Sequence, residues 1–304
     1  MAILVDENTS VLVQGITGRE GSIRAKYMLD YGTKVLCGVT PGRGGNEVHG
    51  LPVYNSVKEA LSAHGQIDAS VIFVPAPALK PAVFEAIESG VELVIASSER
   101  VPLHDALEMI TLARRKGVRF FGPGCMGMLS TGKAVLGWVG ATKQFADEIF
   151  RLGHVGVISR SGGQTGTVVW SLTSAGFGIT TAVHVGTEPV IGTNFAEILP
   201  LFEADEETEA VVMFGEIGTV AEEEAAEVIK EGRFSKPLVA YIAGRSMPAG
   251  MRFSHASAII ERGRGTAESK VRALKAAGAH VVESPQEIAA SLAEAIKGSS
   301  QATA

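Results

Sequence analysis

The sequence predicts an α/β protein built from two doubly wound domains, and three observations support this. The chain has 304 residues, about twice the length of a typical domain. Short apolar runs alternate with amphipathic stretches along most of it, which is the pattern of parallel strands joined by helices. A looser stretch from about residue 127 to 153 divides this alternation into two series. Each series is long enough to bury a core of its own.

The first series contains five apolar runs, which we predict as buried parallel strands. They cover residues 10–14, 35–39, 69–74, 93–96 and 120–122. Amphipathic stretches such as 22–31 and 79–89 lie between them and predict helices. The order is therefore βαβαβ, and the first sheet is predicted to be doubly wound.

The second series predicts another parallel sheet. Its apolar runs cover residues 156–159, 180–185, 210–214, 238–242 and 280–282. The stretch before it, 128–153, carries Gly132, Gly137 and Gly140 with weak periodicity, so we predict a connecting segment there. Residues 299–304 are small and polar and predict a flexible tail.

Composition and charge exclude several classes of protein. The net charge is −6, which gives no basic face for nucleic acid. No apolar run reaches the roughly 18 residues that a membrane span requires. The N-terminal residues lack the basic or arginine-rich character of a targeting segment, so we expect a cytoplasmic protein. The acidic run Glu222, Glu223 and Glu224 is expected to be a solvated helix face.

The two cysteines, Cys37 and Cys125, lie far apart without a CxxC partner. This spacing excludes a zinc cluster and is typical of reduced thiols in a reducing compartment. We therefore expect both cysteines in the core and no metal site on this chain.

A glycine-rich turn follows the first predicted strand. Residues 15–21 read GITGREG and open a helix, where glycines allow backbone N–H groups to approach a phosphate. A dinucleotide site also needs an acid after the second strand, whereas residues 38–45 read GVTPGRGG. Arg43 instead favours a phosphate on the ribose, as in coenzyme A or NADP. A tight turn without a ligand is the alternative.

A second glycine-rich turn, SRSGGQTG at 159–166, also follows a strand and begins a helix. Ser161 and the N–H groups of Gly162 and Gly163 are placed to hold a phosphoryl group at the helix N-terminus. An esterase elbow is excluded because Ser159, not glycine, stands two residues before Ser161.

Two further residues are candidates for catalysis. His255 is an isolated imidazole among small side chains in a loop flanked by glycines, and it is a candidate nucleophile. Glu216, in GEIG at a predicted strand end, could accept a proton from one imidazole nitrogen and leave the other free to attack. The alternatives are a histidine that only packs and a surface acid.

Taken together, these motifs resemble the α-subunit family of succinyl-CoA synthetase and related nucleoside-diphosphate-forming acyl-CoA ligases. The resemblance covers nearly the whole chain. It is carried by QGITG at 14–18, GVTPGRGG at 38–45, VPAP at 74–77, SRSG at 159–162, GEIG at 215–218, and HA at 255–256 with AII at 258–260.

The resemblance implies a Rossmann-like CoA-binding domain over 1–127 and a flavodoxin-like, doubly wound ligase domain over 154–298. It implies that His255 becomes phosphorylated and that Glu216 supports it. Arg43 stands where the family has a lysine, which keeps the charge. The residues implied to line the CoA site are Thr17, Gly18, Arg19, Glu20, Arg43, Ser97, Ser98 and Glu99.

The resemblance also implies a partner and a mechanism. A β-type ATP-grasp subunit, in an αβ or α2β2 assembly, would use ATP or GTP with Mg²⁺ to phosphorylate His255. The phosphoryl group would pass to a substrate carboxylate, and the CoA thiol would then displace phosphate. The chain itself has no GxxxxGK[ST] loop, so the nucleotide module is expected on the other polypeptide.

Three departures from the family pattern concern the substrate. Gly166 stands where succinyl-CoA synthetases have the tyrosine that contacts succinate, GPGCMG at 122–127 replaces GPNCPG, and VGTEP at 185–189 replaces a GIGGDP-type loop. The Gly-Gly after Ser161 is similar to ATP-citrate lyase and citryl-CoA synthetase. A missing ring and hydroxyl can discriminate between acids, so a different di- or tricarboxylate or a sulfonated acid is expected.

Two other functions fit parts of the sequence. An NADP-linked oxidoreductase would use the first glycine-rich turn with Arg43 on the 2′-phosphate. A non-catalytic CoA-binding regulator would use only the first domain.

Overall fold

A computed structural model describes residues 3–245 and 265–302 of the chain. In this part of the chain, two seven-stranded sheets are flanked by helices. The strands of the first sheet are β1 (Ser10–Gln14), β2 (Lys34–Val39), β3 (Glu47–Val48), β4 (Leu51–Tyr54), β5 (Ala69–Ile72), β6 (Leu93–Ala96) and β7 (Arg119–Phe121). Its helices are α1 (Arg19–Tyr31), α2 (Val57–His64), α3 (Ala76–Glu88) and α4 (Leu103–Lys116).

The strand order of the first sheet is β3-β4-β2-β1-β5-β6-β7. Strand β1 pairs in parallel with β2 on one side and with β5 on the other. The chain therefore winds away from β1 in both directions, which leaves a crevice at the carboxyl end of β1. This order confirms the Rossmann-like prediction for the first sheet.

The second sheet is built from β8 (Gly127–Ser130), β9 (Ala134–Gly137), β10 (Leu152–Ser159), β11 (Ile179–His184), β12 (Ala210–Glu216), β13 (Leu238–Ala243) and β14 (His280–Val282). Its order is β14-β13-β12-β10-β11-β8-β9. The five parallel strands β10 to β14 have the flavodoxin-like order, as predicted. The helices are α5 (Lys143–Ile149), α6 (Gly162–Ser174), α7 (Phe195–Ala204), α8 (Ala221–Lys230), α9 (Ala267–Ala276) and α10 (Ile288–Ala302), with a 3₁₀ turn at Pro285–Glu287.

The stretch 128–153, predicted as a connecting segment, contains an ordered hairpin. Strands β8 and β9 pair antiparallel, and β8 pairs antiparallel with β11. The hairpin and the residue pair after it also contact the first domain. The hydroxyl of Thr33, just after α1, donates to the Val135 carbonyl of β9 at 2.8 Å, and the hydroxyl of Tyr27 on α1 donates to the carbonyl of Val139, two residues after β9, at 2.6 Å. These strands have four residues each, and the flanking glycines obscure their periodicity.

The C-terminal residues also differ from the prediction. Helix α10 continues to Ala302, through most of the segment 299–304 that composition predicts as a flexible tail. Alanine, serine and glutamine are compatible with a helical backbone, and the preceding turns supply a helix to extend.

The prediction for the acidic run in α8 was wrong for two of its three residues. Glu222 is fully buried and Glu223 is 8 % exposed, whereas Glu224 is exposed. The cause is a lysine on α9, Lys270, whose ammonium group forms an ion pair with Glu222 in the interior. A paired charge can be buried, whereas an isolated one would cost several kcal/mol.

Both cysteines are buried, as predicted. Burial raises the pKa of the Cys125 thiol to about 12, although an N–H bond from Gly127 opposes the shift. Burial likewise raises the pKa of Cys37 to about 12. Among the described residues, no helix combines the length and apolar character that a membrane crossing requires.

Candidate active site

The first glycine-rich turn lies where the carboxyl ends of β1 and β2 meet. Gly15 adopts a φ of +79° and donates its N–H to the Val39 carbonyl at 2.7 Å. Helix α1 then starts directly above this turn. A Cβ on Gly21 would lie 2.2 Å from the Gly15 carbonyl oxygen, so only glycine lets the first turn of α1 approach so closely. The N-terminus of α1 therefore lies close to the turn at the carboxyl end of β1.

Several of the residues implied to bind CoA lie around this turn. The Thr17 hydroxyl donates to the Thr40 hydroxyl at 3.2 Å and so links the loop after β1 to the loop after β2. Gly18 is the N-cap of α1 and offers no side-chain cap. Arg19 and Glu20 form the exposed first turn of the helix, and Arg43 is exposed in the loop after β2. This arrangement of free N–H groups beside a guanidinium suits a phosphorylated ligand.

The remaining implied CoA residues follow β6 at the same edge. The Ser98 hydroxyl donates to the Val74 carbonyl, which fixes the loop against the end of β5. The Ser97 hydroxyl is buried and has no hydrogen-bond partner among the described residues. A buried hydroxyl without a partner is costly, and a polar ligand in the crevice would satisfy it. The edge of the first sheet therefore fits a CoA-like ligand.

Glu99 marks the point where the first sheet edge meets a loop of the second domain. Its carboxylate accepts a bond from the Thr187 hydroxyl at 3.4 Å. The neighbouring Arg100 donates its backbone N–H to the carboxylate of Glu188. Thr187 and Glu188 follow β11, so the carboxyl ends of strands in both sheets lie on the same side of the molecule. The sequence analysis noted the loop 185–189 but assigned Glu188 no role.

The second glycine-rich turn forms the N-terminus of α6. Ser161 is the N-cap, and its own side chain makes no capping bond. Instead, the Ser159 hydroxyl accepts from the Ser161 N–H at 3.0 Å and donates to the Ser161 carbonyl at 2.9 Å. The Ser161 hydroxyl is therefore not used to cap the helix, and the first-turn N–H groups carry the positive end of the helix dipole.

The glycines of α6 differ in the space around them. A Cβ on Gly162 would meet the Met126 sulfur at 2.1 Å, whereas Cβ atoms on Gly163 and Gly166 would meet no atom of the described residues within 4 Å. Gly166 therefore opens volume on the same helix that carries Ser161, one turn further along. Met126 lies over the start of the helix and restricts the volume there.

His184 joins these elements and was missed by the sequence analysis. It is fully buried at the end of β11. Its Nδ1 accepts the Met126 N–H at 2.9 Å, which requires the proton of the neutral ring on Nε2, where the Arg160 carbonyl lies at 3.1 Å. This bonding holds Met126 against the loop that begins α6.

Arg160 is the other residue missed by the sequence analysis, although it lies inside the SRSG motif. It is 1 % exposed. Its Nε lies 3.6 Å from Oε1 of Glu216, and its Nη2 donates to the Glu188 carbonyl at 3.1 Å. Arg160 directly follows β10 and Glu216 ends the neighbouring strand β12, which pairs with β10 in parallel. Glu216 is thus held at the sheet edge by a cation from the adjacent strand.

The contacts of Arg160 also connect the two predicted sites. Arg100 N–H bonds the Glu188 side chain, the Glu188 carbonyl bonds Arg160, and Arg160 pairs with Glu216. The described structure therefore brings Glu216 and Ser161 to one end of the second sheet, next to Ser97, Ser98 and Glu99 of the first. His255, the predicted nucleophile, lies outside the described residues.

The described residues include one group with metal-like spacing, His104, Asp105 and Glu108 on α4. Lys80 from α3 forms ion pairs with both carboxylates, to Asp105 at 3.1 Å and to Glu108. One ammonium thus offsets part of the negative charge of this cluster, which lies at the protein surface.

A CoA-type crevice on a Rossmann-like sheet, joined at its carboxyl edge to a flavodoxin-like domain with a strand-end carboxylate, defines an acyl-CoA ligase subunit. Two family models match the chain in this order, the CoA binding domain over residues 6–100 and CoA-ligase over residues 158–280. The chain belongs to the family of ADP-forming succinate–CoA ligase α subunits and their acyl-CoA ligase relatives.

Two relatives illustrate the range of this family. The succinate–CoA ligase [ADP-forming] subunit alpha 2 of Archaeoglobus fulgidus is 50 % identical over 294 residues, which are 97 % of this chain and 99 % of that protein. The ADP-forming sulfoacetate-CoA ligase subunit SauD of Bilophila wadsworthia is 43 % identical over 292 residues, 96 % of this chain and 98 % of that protein.

A solved structure shows the same fold. The ATP citrate lyase of Methanothrix soehngenii, in complex with citrate and coenzyme A, superposes with a TM-score of 0.90 at 24 % identity over 99 % of this chain. This chain spans about half of that longer polypeptide, 52 % of its length.

Proposed function

We propose that this chain is the α-type subunit of a nucleoside-diphosphate-forming carboxylate–CoA ligase that works through a phosphohistidine. The observation that carries the proposal is the contact series Arg100, Glu188, Arg160 and Glu216. This series supports the proposal because it links the edge of the first sheet, where CoA would bind, to the end of the second sheet, where the start of α6 would hold a phosphoryl group. A phosphorylated intermediate and CoA can then react without leaving the protein.

His255 would be the phosphoryl carrier. One imidazole nitrogen would attack the γ-phosphorus of ATP or GTP, the bond to the β-phosphate oxygen would break, and the nucleoside diphosphate would leave. A substrate carboxylate oxygen would then take the phosphoryl group from nitrogen, giving an acyl phosphate. The CoA thiolate would attack the acyl carbon and expel inorganic phosphate. Splitting one condensation into three transfers lowers each barrier.

Three groups of described residues would act in this chemistry. Glu216, held by Arg160, would accept a proton from the second imidazole nitrogen and support the charge on the ring. Ser161 and the N–H groups of Gly162 and Gly163 would hold the phosphoryl oxygens at the positive end of α6. The CoA site would use Thr17, Gly18, Arg19, Glu20, Arg43, Ser97, Ser98 and Glu99.

The substrate would be a small acid with a second anionic group, either a di- or tricarboxylate or a sulfonated carboxylate. Two relatives that this chain matches over nearly its full length are named as ligases of succinate and of sulfoacetate. Gly166 leaves open space on α6 where a tyrosine would stand in succinyl-CoA synthetases. The positive helix N-terminus next to that space suits a second negative charge.

The partner would be a β-type ATP-grasp subunit in an αβ or α2β2 assembly, and it would hold ATP or GTP with Mg²⁺. The complex would work in the cytoplasm. We also propose the division of this chain into a CoA-binding domain over 1–127 and a ligase domain over 154–298, with the hairpin β8–β9 packed between them.

A panel of acids tests this function. The purified complex with its β-type partner would be incubated with ATP or GTP, CoA and, in turn, succinate, malate, citrate, sulfoacetate and acetate. Thioester formation and phosphate release would be measured together. The proposal expects one doubly charged acid to be turned over with equal amounts of thioester and phosphate. Turnover of acetate alone, or of none of these acids, would contradict the substrate class. Absence of phosphorylation of this chain by ATP or GTP in the complex would contradict the function.

A further inference from the structure

A buried charge network surrounds the main chain at Glu216. Glu222 on α8 and Lys270 on α9 are both fully buried and form an ion pair. The other carboxylate oxygen of Glu222 accepts the Glu216 N–H at 3.0 Å. The Lys270 ammonium donates to the Glu216 carbonyl at 2.7 Å and to the Gly218 carbonyl at 2.6 Å. The pair therefore holds the peptide groups on both sides of the Glu216 Cα.

The neighbouring residues are fitted to this arrangement. A Cβ on Gly215 would lie 2.5 Å from the Glu222 carboxylate, so glycine at this position lets the carboxylate reach the Glu216 N–H. Glu223, next to Glu222, accepts the Gly265 N–H and the Ser269 hydroxyl, each at 2.8 Å. Gly265 in turn accepts the Gly218 N–H at 2.8 Å. The end of β12 and the start of α9 are thus joined through these two acids.

The cost of this network argues for a role beyond folding. A fully buried ion pair contributes little to stability compared with apolar side chains of the same volume. Here the carboxylate of Glu222 and the ammonium of Lys270 both bind main-chain groups at the end of β12, the strand that carries Glu216. Arg160 fixes the carboxylate of Glu216 from the opposite side, from β10. Both the main chain and the side chain of Glu216 are therefore held in place. A catalytic group needs such support in order to meet its reacting partner in one fixed geometry.

We propose that Glu222 and Lys270 are positioning residues for phosphoryl transfer, and that they act through Glu216. This inference rests on the proposed function. Neither residue needs to touch substrate or cofactor. Their effect would be lost once the Glu216 carboxylate is removed, which distinguishes positioning from a general contribution to stability.

The test is a double-mutant cycle on the complex with its β-type partner. The rate at which ATP or GTP labelled in the γ-phosphate phosphorylates this chain would be measured by rapid quench for wild type, Glu222→Gln, Glu216→Gln and the combination. Glu222→Gln should slow labelling about tenfold, which corresponds to about 1.4 kcal/mol. In the Glu216→Gln background, the same change should slow it less than about twofold.

Two further variants serve as controls. Glu227→Gln makes the same change on the exposed face of α8, where the carboxylate pairs with Lys230, and it should label at the wild-type rate. If Glu222→Gln proves too unstable, the double variant Glu222→Gln/Lys270→Met removes both buried charges and should fold. It should still label slowly, because the Glu216 and Gly218 carbonyls have lost their donor.

Each outcome is decisive. An equal rate for wild type and Glu222→Gln, or a tenfold loss that persists in the Glu216→Gln background, would overturn the inference and leave the proposed function intact. Absence of label in the wild-type complex would instead overturn the proposed function, and the inference would fall with it.

Discussion

Arg160 reaches Glu216 across the carboxyl ends of two neighbouring parallel strands, with Nε 3.6 Å from Oε1. The arginine is buried, and its Nη2 also binds the Glu188 carbonyl at 3.1 Å. One guanidinium therefore contacts both the predicted catalytic carboxylate and the loop that meets the CoA edge. The SRSG motif therefore does more than supply a glycine at the start of α6. Its arginine, Arg160, orients Glu216, which lies 56 residues later in the chain (216 minus 160).

Arg160→Met should destabilise the protein and slow its phosphorylation. Removing one partner of a buried pair leaves the other charge uncompensated, so the free energy of unfolding should fall by about 3 kcal/mol. Denaturant unfolding and the rate of labelling would be measured on the same preparation. Arg151→Met, at an exposed arginine just before β10, is the control and should change neither. Wild-type stability and rate in Arg160→Met would contradict the role of this contact.

Arg43→Met should weaken the binding of CoA through the ribose phosphate. Loss of a charge-assisted contact to phosphate is expected to raise the Kd about tenfold. The analogue 3′-dephospho-CoA lacks that phosphate, so its Kd should be nearly the same for wild type and variant. Calorimetric titrations would measure the Kd of both ligands. The control is Arg115→Met, at an exposed arginine on α4. An equal loss for the two ligands would place Arg43 elsewhere on CoA.

Gly166→Tyr should change the choice of acid. Among the residues that the structure describes, a Cβ at Gly166 meets no atom within 4 Å, so a side chain can start there without a clash, and we expect the ring to occupy the space beside the α6 N-terminus. The ratio of kcat/KM between succinate and larger or sulfonated acids should rise in favour of succinate by about tenfold. Gly166→Ala is the matched control, which should keep the wild-type preference. It should raise helix stability by about 0.5–1 kcal/mol. An unchanged preference in Gly166→Tyr would remove this position from the substrate site.

The thiols of Cys37 and Cys125 should resist alkylation in the native protein. Burial raises each pKa from an ordinary 9.0 to about 12, so the thiolate that reacts is scarce at pH 8. The native state holds these protons more tightly than the unfolded chain between pH 9 and 12, so their contribution to stability declines as the pH rises through that range. Mass spectrometry after iodoacetamide should find no adduct on native protein and two on unfolded protein. Rapid labelling of one native thiol would contradict its burial.

The sequence was sufficient for both sheet types and for most of the parallel strands, because buried parallel strands are continuous apolar runs and their connections follow strict handedness rules. Strand β4 (Leu51–Tyr54), which pairs in parallel with β2, was not predicted. It also located Ser161 and Glu216, since strand ends and helix starts can be read from local pattern. The antiparallel hairpin β8–β9 was not predicted, because its four-residue strands and their glycines give no clear period.

The support around Glu216 could not be predicted for a different reason. Arginine, glutamate and lysine are usually exposed, and the burial of Arg160, Glu222 and Lys270 depends on partners that lie far away in the sequence. Lys270 is 48 residues from Glu222. A run of three glutamates is ordinarily a solvated helix face. The ammonium from α9, together with the Glu216 N–H, makes the interior position of Glu222 tolerable.

The most direct test of the account is the location of the phosphoryl group. The complex with the β-type partner would be incubated with ATP or GTP labelled in the γ-phosphate, and the labelled peptide would be identified at alkaline pH, since phosphohistidine is labile in acid. The account predicts label on His255, its discharge when CoA and the substrate acid are added together, and no label in His255→Asn. Label on another residue, or label that persists in His255→Asn, would contradict the phosphohistidine mechanism.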